Sequence, residues 1–365
     1  MKKKKKSNVV DSIKDVAKGI YEEISRKQAP LLHIPIRSLS NVEYSIREGY
    51  FKILGKMKER KLTANTIKTF TQTLLLMRES KKVVETDDIM TKREAYYVSK
   101  NWGDAKFNEQ PESDSVMDDI EALMRVQREQ LGFIPEEDGG AVSGPLKIIE
   151  TDPETGEKIE VDCAKFASGA YSVPNQVEHL QFKTKAKFVL AIETAGMFQR
   201  LVKHKYWRQA NCILVSMKGV PSRATRRFIR RLADENKLPV YVFTDGDPYG
   251  YLNIYRTLKV GSGNAAHINE FFCVPTAKFI GVTPEDITDY KLPTHALKDV
   301  DIKRLKDGIK NDPFVKHHKE WEKALKSMAT LKKRAEQQAF ASHDLNYVIK
   351  TYLPEKLKNP KKWLP

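Results

Sequence analysis

The sequence has few of the features that build disulfide frameworks, zinc sites or membrane spans. Only three cysteines occur among 365 residues, at positions 163, 212 and 273, and no two form a CxxC pair. This scarcity excludes a disulfide scaffold and a cysteine-rich zinc site. No apolar run approaches the roughly 20 residues that span a bilayer, and the lysine run after Met1 lacks the apolar core of a secretion signal. We therefore expect a cytoplasmic protein without a membrane partner.

A phosphate-binding loop for ATP is also missing. The chain has no GxxxxGK motif, and the glycines at positions 261 and 263 are followed by Asn264 and Ala265 rather than by lysine. In such loops the backbone cradles the phosphates and the lysine reaches the terminal ones. We therefore do not expect this chain to bind ATP by itself.

Positive charge, in contrast, is abundant. Lys and Arg number 64 against 48 Asp and Glu, which gives a formal net charge of +16. Counterion release makes such a surplus favourable for a polyanionic partner, although charge alone would also suit an anionic membrane. Five arginines fall on one face of a predicted helix over residues 222–236. They form either an ordinary solvated face or a contact for a phosphate backbone or an acidic protein.

The spacing of apolar residues changes along the chain. Amphipathic helices are predicted over residues 10–24, 63–78, 87–100 and 113–131, and three helices in a basic segment are typical of helix-turn-helix or winged-helix modules. Residues 138–157, rich in Gly, Pro and Asp, are a candidate boundary.

Beyond this boundary strands and helices alternate, which predicts βαβ crossovers and a parallel sheet. A long polar helix is predicted over residues 315–340. The alternating elements are strands over 187–194, 211–217 and 239–245 and helices over 196–206 and 222–236.

Acidic residues follow two of the predicted strands. Glu193 comes after the apolar run 187–192, and Asp245 and Asp247 come at the end of the run 238–244. Ligands bind at the carboxyl ends of buried parallel strands, and hard oxygen ligands favour magnesium over zinc. Magnesium in turn suggests a phosphate-bearing substrate. Phosphatases, primases, nucleases and topoisomerases all use such sites, so the carboxylates indicate the substrate class rather than the reaction.

A nucleophile would decide between these reactions. The predicted helix over residues 87–100 contains Tyr96 and Tyr97, and Arg93 lies four residues before Tyr97, on the same helical face. A phenol is a poor nucleophile at neutral pH, but a neighbouring guanidinium stabilises both the phenolate and the charge that develops on an attacked phosphate. Paired tyrosines more often serve in packing, so this pair indicates a catalytic role only when it is taken together with the acidic residues.

Three motifs, taken in their order and spacing, resemble the A subunits of archaeal DNA topoisomerase VI, a family related to the meiotic double-strand-break transesterase of eukaryotes. They are residues 91–99 (TKREAYYVS), 188–193 (FVLAIE) and 244–251 (TDGDPYGY). The resemblance includes residues 218–221 and 261–282 and covers most of the chain from residue 70 onward. It is much weaker before residue 60.

The resemblance implies an α/β multidomain fold in three parts. A basic N-terminal extension, residues 1–69, precedes a winged-helix domain of the catabolite-activator type, residues 70–150, which carries the nucleophilic tyrosine. Residues 151–365 then form a Toprim domain with a parallel, Rossmann-like sheet and C-terminal helical elements.

The resemblance also implies residue roles. Tyr97, rather than Tyr96, matches the nucleophile, and Arg93 matches the arginine that holds the scissile phosphate. Lys92 and Lys100 are predicted to bind DNA with Arg93. The predicted Mg²⁺ ligands are Glu193, Asp245 and Asp247.

The reaction implied is reversible transesterification of double-stranded DNA through a 5′-phosphotyrosine link. In the family, the tyrosine of one protomer of a homodimer meets the Toprim site of the other. A separate ATPase B subunit completes an A2B2 heterotetramer, which we expect in the cytoplasm in association with the nucleoid. Three alternatives remain open at this point: a meiotic-type break-maker that does not reseal, a magnesium phosphatase or primase in which the tyrosines only pack, and a non-catalytic architectural DNA binder.

Overall fold

The computed structural model describes residues 2–135, 139–152, 154–166 and 169–365. By its internal contacts the chain divides into two compact units. The first unit comprises Met1–Glu43, Lys52–Glu137 and Gly263–Phe271, and the second comprises Tyr44–Phe51, Asp138–Ser262 and Phe272–Pro365.

The first unit combines helices with short paired strands. The helices are α1 (Lys2–Ser25), α2 (Ile67–Glu85), α3 (Lys92–Val98) and α4 (Gln110–Met124), and the strands are β1 (Leu31–Pro35), β2 (Val42–Ser45), β3 (Tyr50–Ile53), β4 (Met57–Lys61), β5 (Met90–Thr91) and β6 (Phe133–Ile134). The strands pair as β1 with β4 (antiparallel) and β5 with β6 (parallel), while β2 and β3, at the sequence boundary with the second unit, pair with each other.

Apolar spacing explains how α1 packs. Ile13 and Ile20 are buried and Val16 is partly buried, which confirms the amphipathic helix predicted over residues 10–24, although Ile24 is exposed. Ile13 joins a core that also contains Met77 of α2 and residues of α3 and α4.

A buried carboxylate ties the strands before residue 62 to α4. The Asp119 side chain, 1% exposed, accepts hydrogen bonds from Arg37, from Lys58 at 2.8 Å and from Arg60 at 2.5 Å. Burying a carboxylate is tolerated when it is paired and hydrogen-bonded.

Helix boundaries in the first unit differ from those predicted. The helix predicted over 63–78 is α2, which begins at Ile67 and ends at Glu85. Asp87 has a positive φ of 59° and Met90–Thr91 form β5, so the helix predicted over 87–100 begins only at Lys92. The helix predicted over 113–131 begins earlier and ends at Met124, because Arg125 adopts the left-handed conformation with φ 53°. Ser113 therefore lies inside α4 instead of capping it.

The second unit is built around a mixed sheet with helices. The helix α9 lies at a sequence boundary between the units. The strands are β7 (Ala141–Ser143), β8 (Leu146–Thr151), β9 (Lys158–Asp162), β10 (Tyr171–Ser172), β11 (Gln181–Thr184), β12 (Phe188–Ile192), β13 (Cys212–Ser216), β14 (Val240–Phe243), β15 (Lys278–Gly281), β16 (His295–Ala296) and β17 (Lys333–Arg334), and the helices are α5 (Ala195–Lys203), α6 (Tyr206–Ala210), α7 (Arg223–Asn236), α8 (Arg256–Lys259), α9 (Asn269–Phe272), α10 (Pro284–Asp289), α11 (Asp299–Asn311), α12 (Pro313–His317), α13 (Lys319–Leu331) and α14 (Leu353–Lys358).

The main sheet has the order β10-β7-β13-β12-β14-β15. β12 runs parallel to both β13 and β14, and β14 runs parallel to β15, which confirms the predicted parallel arrangement; β7 joins antiparallel to β13. A second, antiparallel sheet of β11, β8 and β9 was not predicted.

The prediction of one long helix over residues 315–340 is wrong. α13 ends at Leu331 because Lys332 takes the left-handed conformation, with φ 53°. The chain then forms β17, which pairs with β16, and Ala335 bridges to Gly246. The polar residues that follow α13 therefore lie against the loop after β14 rather than on a helix surface.

All three cysteines are buried and free, in agreement with the absence of a disulfide framework. Within the described ranges, no helix combines the length and apolar character needed to cross a membrane.

Candidate functional site

The predicted metal ligands of the second unit lie at one end of the main sheet. Ile192, the last residue of β12, is paired with Phe243, the last residue of β14, so Glu193 and the loop after β14 leave the sheet side by side. The Glu193 Oε2 atom accepts a hydrogen bond of 2.8 Å from the backbone N–H of Asp245. We call Glu193, Asp245 and Asp247 the acidic edge.

Glycine allows the loop after β14 to turn tightly beside these carboxylates. A Cβ atom at Gly250 would lie 2.6 Å from the backbone oxygen of Asp245, and one at Gly246 would lie 3.0 Å from that of Val282. The backbone N–H of Gly250 donates to Asp247 Oδ1 at 2.7 Å. The Asp247 carboxylate is therefore held in place by its own loop.

Burial and mutual repulsion disfavour full ionisation of the acidic edge. Burial raises the pKa of Glu193 to about 8, and the Asp245 carboxylate contributes to the rise. Burial also raises the pKa of Asp245 to about 6, with repulsion from Asp247 as a further cause, and burial raises the pKa of Asp247. A bound cation would favour the ionised form of all three carboxylates.

The donor set fits a hard divalent cation that keeps part of its water shell. In the described part of the chain, no group of three or more His, Cys, Asp or Glu side chains is close enough to hold a metal ion by itself. A cation that retains water and is completed by substrate phosphate needs only one or two protein carboxylates. Oxygen-only ligands that are crowded and buried, but do not form a closed cage, match that kind of site.

A segment that sequence reasoning missed completes the acidic edge. Gln337 is fully buried; its backbone N–H donates to Asp245 Oδ1 at 2.8 Å, and its side-chain amide donates to the backbone oxygen of Phe243 at 2.8 Å. The Thr194 hydroxyl in turn donates to Gln337 Oε1 at 2.8 Å. One glutamine therefore links the ends of β12 and β14. No motif signals this contact, since Gln337 lies 92 positions from Asp245 in sequence.

The tyrosine helix α3 belongs to the first unit. Thr91 and Glu94 form a capping box at its start: the Glu94 N–H donates to Thr91 Oγ1 at 3.1 Å, and the Thr91 N–H donates to Glu94 Oε2 at 2.7 Å. This cap fixes which residues face the core. Ala95 is buried, whereas Arg93 and Tyr97 are exposed on the other side.

The two neighbouring phenols have different surroundings. Tyr97 is 57% exposed, and its hydroxyl makes no hydrogen bond to any residue that the structure describes. Tyr96 is partly buried, donates from its hydroxyl to the backbone oxygen of Asn108 at 3.2 Å, and has the Lys100 ammonium 3.9 Å from its ring centroid. Tyr96 is thus engaged in packing, and Tyr97 is the accessible phenol.

Both lysines predicted to bind DNA have partners within the first unit. The Lys92 ammonium lies 2.5 Å from an oxygen of Asp114, and Lys100 donates to the backbone oxygen of Phe107 at 2.8 Å. Their contact with DNA stays a prediction.

The five arginines on one face of α7 form a packing surface rather than an open cationic face. They are Arg223, Arg226, Arg227, Arg230 and Arg231. Arg231, 8% exposed, donates to the backbone oxygens of Val177 and Leu180 and to Glu235. Arg227 donates to Glu178 at 2.5 Å. These contacts position α7 against neighbouring segments of the second unit.

Models of three protein families match the chain. The model described as "Type IIB DNA topoisomerase" matches residues 68–133, which include α3, and "All-beta domain in DNA topoisomerase VI alpha subunit" matches residues 136–186. The model of the Toprim domain that topoisomerase 6 A subunits share with Spo11 matches residues 188–357, which include the acidic edge and Gln337.

Curated relatives are similar over nearly the whole chain. The type 2 DNA topoisomerase 6 A subunit of Methanocaldococcus jannaschii is 56% identical over 363 residues, covering 100% of this chain and 98% of that protein. Proteins of the same name from Archaeoglobus fulgidus and Methanosarcina barkeri are 40% and 38% identical, over 94% of this chain in both cases and over 94% and 93% of their own lengths.

Proposed function

This chain belongs to the family of type 2 DNA topoisomerase 6 A subunits, and from that premise we propose how it cuts DNA. It is the DNA-cleaving subunit of a type IIB topoisomerase, which relaxes or decatenates duplex DNA through a transient double-strand break. The similarity to named A subunits along the full chain carries this conclusion.

We propose that Tyr97 is the nucleophile. Its phenolic oxygen attacks the phosphorus of a phosphodiester in line, the bond from phosphorus to the 3′ oxygen breaks, and the tyrosine becomes joined to the 5′ phosphate. The phenol loses its proton and the departing 3′ oxygen gains one. The 3′ hydroxyl reverses the step by attacking the phosphotyrosine, so one ester replaces another and the exchange itself needs no ATP. The exposure of Tyr97 supports this assignment over Tyr96.

Arg93 holds the scissile phosphate in this proposal. It shares the exposed face of α3 with Tyr97, and a guanidinium can bind two phosphate oxygens at once. Lys92, at the start of α3, and Lys100, in the turn that follows it, support DNA binding once they exchange their internal partners for phosphates. We assign residues 70–150 to a winged-helix domain and residues 151–365 to the Toprim domain, following the extension over residues 1–69.

Glu193, Asp245 and Asp247 would hold Mg²⁺. When bound, this ion supplies positive charge that stabilises the attacked phosphate and the departing 3′ oxygen. The chain's own contribution is placement: Gly250 fixes the Asp247 carboxylate, and Gln337 fixes Asp245 relative to the end of β12.

We further propose the assembly in which these groups act. Two copies of the chain form a homodimer on double-stranded DNA, with the tyrosine of one copy serving the acidic edge of the other. A separate B subunit supplies ATP hydrolysis, since this sequence has no ATP loop, and the A2B2 complex works in the cytoplasm with the nucleoid. A break-maker that does not reseal shares the chemistry, but the relatives named above are topoisomerase subunits.

A test of the proposal is recovery of the covalent intermediate. The chain is incubated with its B partner, radiolabelled supercoiled DNA, Mg²⁺ and a nucleotide, and the mixture is denatured. We expect label on this chain, and after nuclease and trypsin digestion we expect the nucleotide on the peptide over residues 94–100, at Tyr97. Absence of label, or a nucleotide on a residue outside this peptide, would contradict the mechanism.

A further inference from the structure

The structure points to Arg334 as a further catalytic residue: we propose that its guanidinium binds a non-bridging oxygen of the DNA phosphate at the acidic edge. The inference rests on the proposed function, because it needs a phosphodiester to occupy this edge. Arg334 lies outside the three sequence motifs, in the segment for which the residue pattern predicted a long polar helix.

Arg334 lies next to the acidic edge but makes no hydrogen bond to its carboxylates. Its Nη1 atom is 3.8 Å from Asp247 Oδ2, which is an ion-pair distance but too long for a hydrogen bond. Its Nε atom is buried and has no hydrogen-bond partner among the described residues. Arginine has five donors that suit two-point binding of carboxylate or phosphate. Here none of them makes a hydrogen bond within the described chain.

Arg231 shows what a structural arginine looks like in the same unit. It donates to two backbone oxygens and to the Glu235 carboxylate, and its side chain is 10% exposed. The Arg334 side chain is more open, at 20% exposure, and its donors are still available. This contrast favours an external acceptor for Arg334.

The charge of the site indicates what that acceptor is. Three ionised carboxylates and one divalent cation leave a net negative charge, and Glu336 adds a further negative field at Glu193 and Asp245. This net negative charge would repel a phosphodiester anion. Arg334 offsets one of the negative charges beside Asp247, which favours the entry of a phosphate that gains charge during attack.

The backbone around Arg334 is fixed, as a binding group of this kind requires. The next residue, Ala335, exchanges backbone hydrogen bonds with Gly246 at 2.8 and 3.3 Å, and Gln337 is anchored to Asp245 and Phe243. The guanidinium therefore starts from a defined position next to Asp247, and little reorganisation is needed when phosphate arrives.

Three variants test the inference in the complete A2B2 enzyme. Arg334→Gln removes the guanidinium, and Arg334→Lys keeps the charge without the two-point geometry. Lys333→Gln is the matched control, because it removes the same charge from the preceding, exposed residue of β17, whose side chain leaves the strand on the opposite side. Single-turnover cleavage should fall by about 10²–10³-fold for Arg334→Gln, recover in part for Arg334→Lys, and stay near wild type for the control.

Two readouts besides activity separate phosphate binding from a structural role. In a Tyr97→Phe background, where DNA stays intact, the slope of log affinity against log salt should shrink by about 0.9 for Arg334→Gln, the value for one phosphate contact. It should not change for Lys333→Gln. The rise in Tm caused by Mg²⁺ without DNA should be kept or increased, since a positive charge near the cation has been removed.

The inference is overturned if Arg334→Gln cleaves within about threefold of wild type, a loss far below that expected for a transition-state contact, or if its salt slope is unchanged. It is also overturned if the Mg²⁺-dependent rise in Tm disappears, because Arg334 would then act by holding Asp247. Wild-type enzyme in the same assay separates the two proposals. If the wild type forms no phosphotyrosine link, the proposed function fails. If the wild type forms the link and Arg334→Gln forms it at nearly the same rate, only the role of Arg334 is removed.

Discussion

The tyrosine helix leaves the proposed nucleophile exposed to solvent, whereas the proposed metal ligands of the acidic edge are largely buried. Tyr97 is 57% exposed, and Glu193 is 9% exposed with its pKa raised by burial. A nucleophile that must reach a phosphate in a separate DNA molecule gains from access. Carboxylates that bind a cation gain from burial, because the electrostatic attraction is stronger away from water.

Mutations at the two sites should therefore affect stability differently, although mutations at both sites should lower activity. An exposed phenol that makes no hydrogen bond to the described residues contributes little to folding, so its loss should affect only chemistry. Crowded buried carboxylates oppose folding when no cation is present, so removing one should stabilise the metal-free protein while it harms catalysis.

The largest expected effect is that of Tyr97→Phe. Without the attacking oxygen, covalent cleavage should fall by at least about 10⁴-fold, while the free energy of unfolding should change by no more than about 0.5 kcal/mol. Gel assays of DNA-linked protein and thermal melts measure the two quantities.

Tyr96→Phe is the matched control for this prediction. It should keep cleavage within about tenfold and lose about 1 kcal/mol of stability with its bond to the Asn108 oxygen. If Tyr96→Phe abolished cleavage and Tyr97→Phe did not, the two phenols would have to exchange roles.

Glu193→Gln should reduce cleavage by about 10²-fold or more and should stabilise the metal-free protein in a pH-dependent way. The pKa of Glu193 is about 8 in the folded chain, against 4.5 as its ordinary value. The folded state therefore keeps a proton that the unfolded state releases, and wild-type stability falls as pH rises from about 4.5 to 8. The advantage of the variant should grow over this window, to at most about 5 kcal/mol, and then level off.

Melts in EDTA between pH 4.5 and 9 measure this advantage, and Mg²⁺ should then reverse it by raising the Tm of the wild type more than that of the variant. Glu160→Gln, at an exposed position on β9, should show neither effect. An advantage for Glu193→Gln that is constant over pH would refute the account of a buried, proton-retaining carboxylate.

Gln337→Ala tests whether the geometry of the acidic edge depends on a residue that is distant in sequence. The tyrosine helix, in contrast, is held by its own local cap. The change removes the acceptor of the Thr194 hydroxyl and one of the two donors to the Phe243 oxygen, which still accepts from the Glu193 N–H; the loss should cost about 1–3 kcal/mol of stability. The backbone N–H that donates to Asp245 is kept, but the amide no longer anchors its segment to the ends of β12 and β14. Cleavage should therefore fall by about 10–100-fold, a loss of the size seen when groups that support a metal ligand are removed.

Calorimetry and single-turnover cleavage measure these two losses. Gln209→Ala, at an exposed glutamine, is the control and should resemble wild type in both. Full activity of Gln337→Ala together with lowered stability would limit Gln337 to a role in folding.

The same contrast explains what the sequence could reveal. The face shared by Arg93 and Tyr97 and the parallel order of the strands around β12 depend on neighbouring residues, so spacing and apolar runs predicted them in outline. The start of α3 was not predicted, because residues 90 and 91 form a strand instead. The supporting role of Gln337 depends on Lys332 leaving the helical conformation and on a contact 92 residues away. A polar run after a helix contains no local signal for such an event, and helix propensity therefore predicted a longer helix.

The smallest expected effect concerns the cap of the tyrosine helix. Thr91→Ala removes the side-chain acceptor for the Glu94 N–H, which should cost about 1 kcal/mol. Because α3 is short and presents Tyr97 by local geometry alone, its fraying should slow cleavage only severalfold, and the loss should shrink as temperature is lowered. Thr86→Ala, which removes hydroxyl bonds at the end of α2, is the control for stability. Equal rates for both variants at equal stability would show that the cap supports the fold in general and does not place the nucleophile.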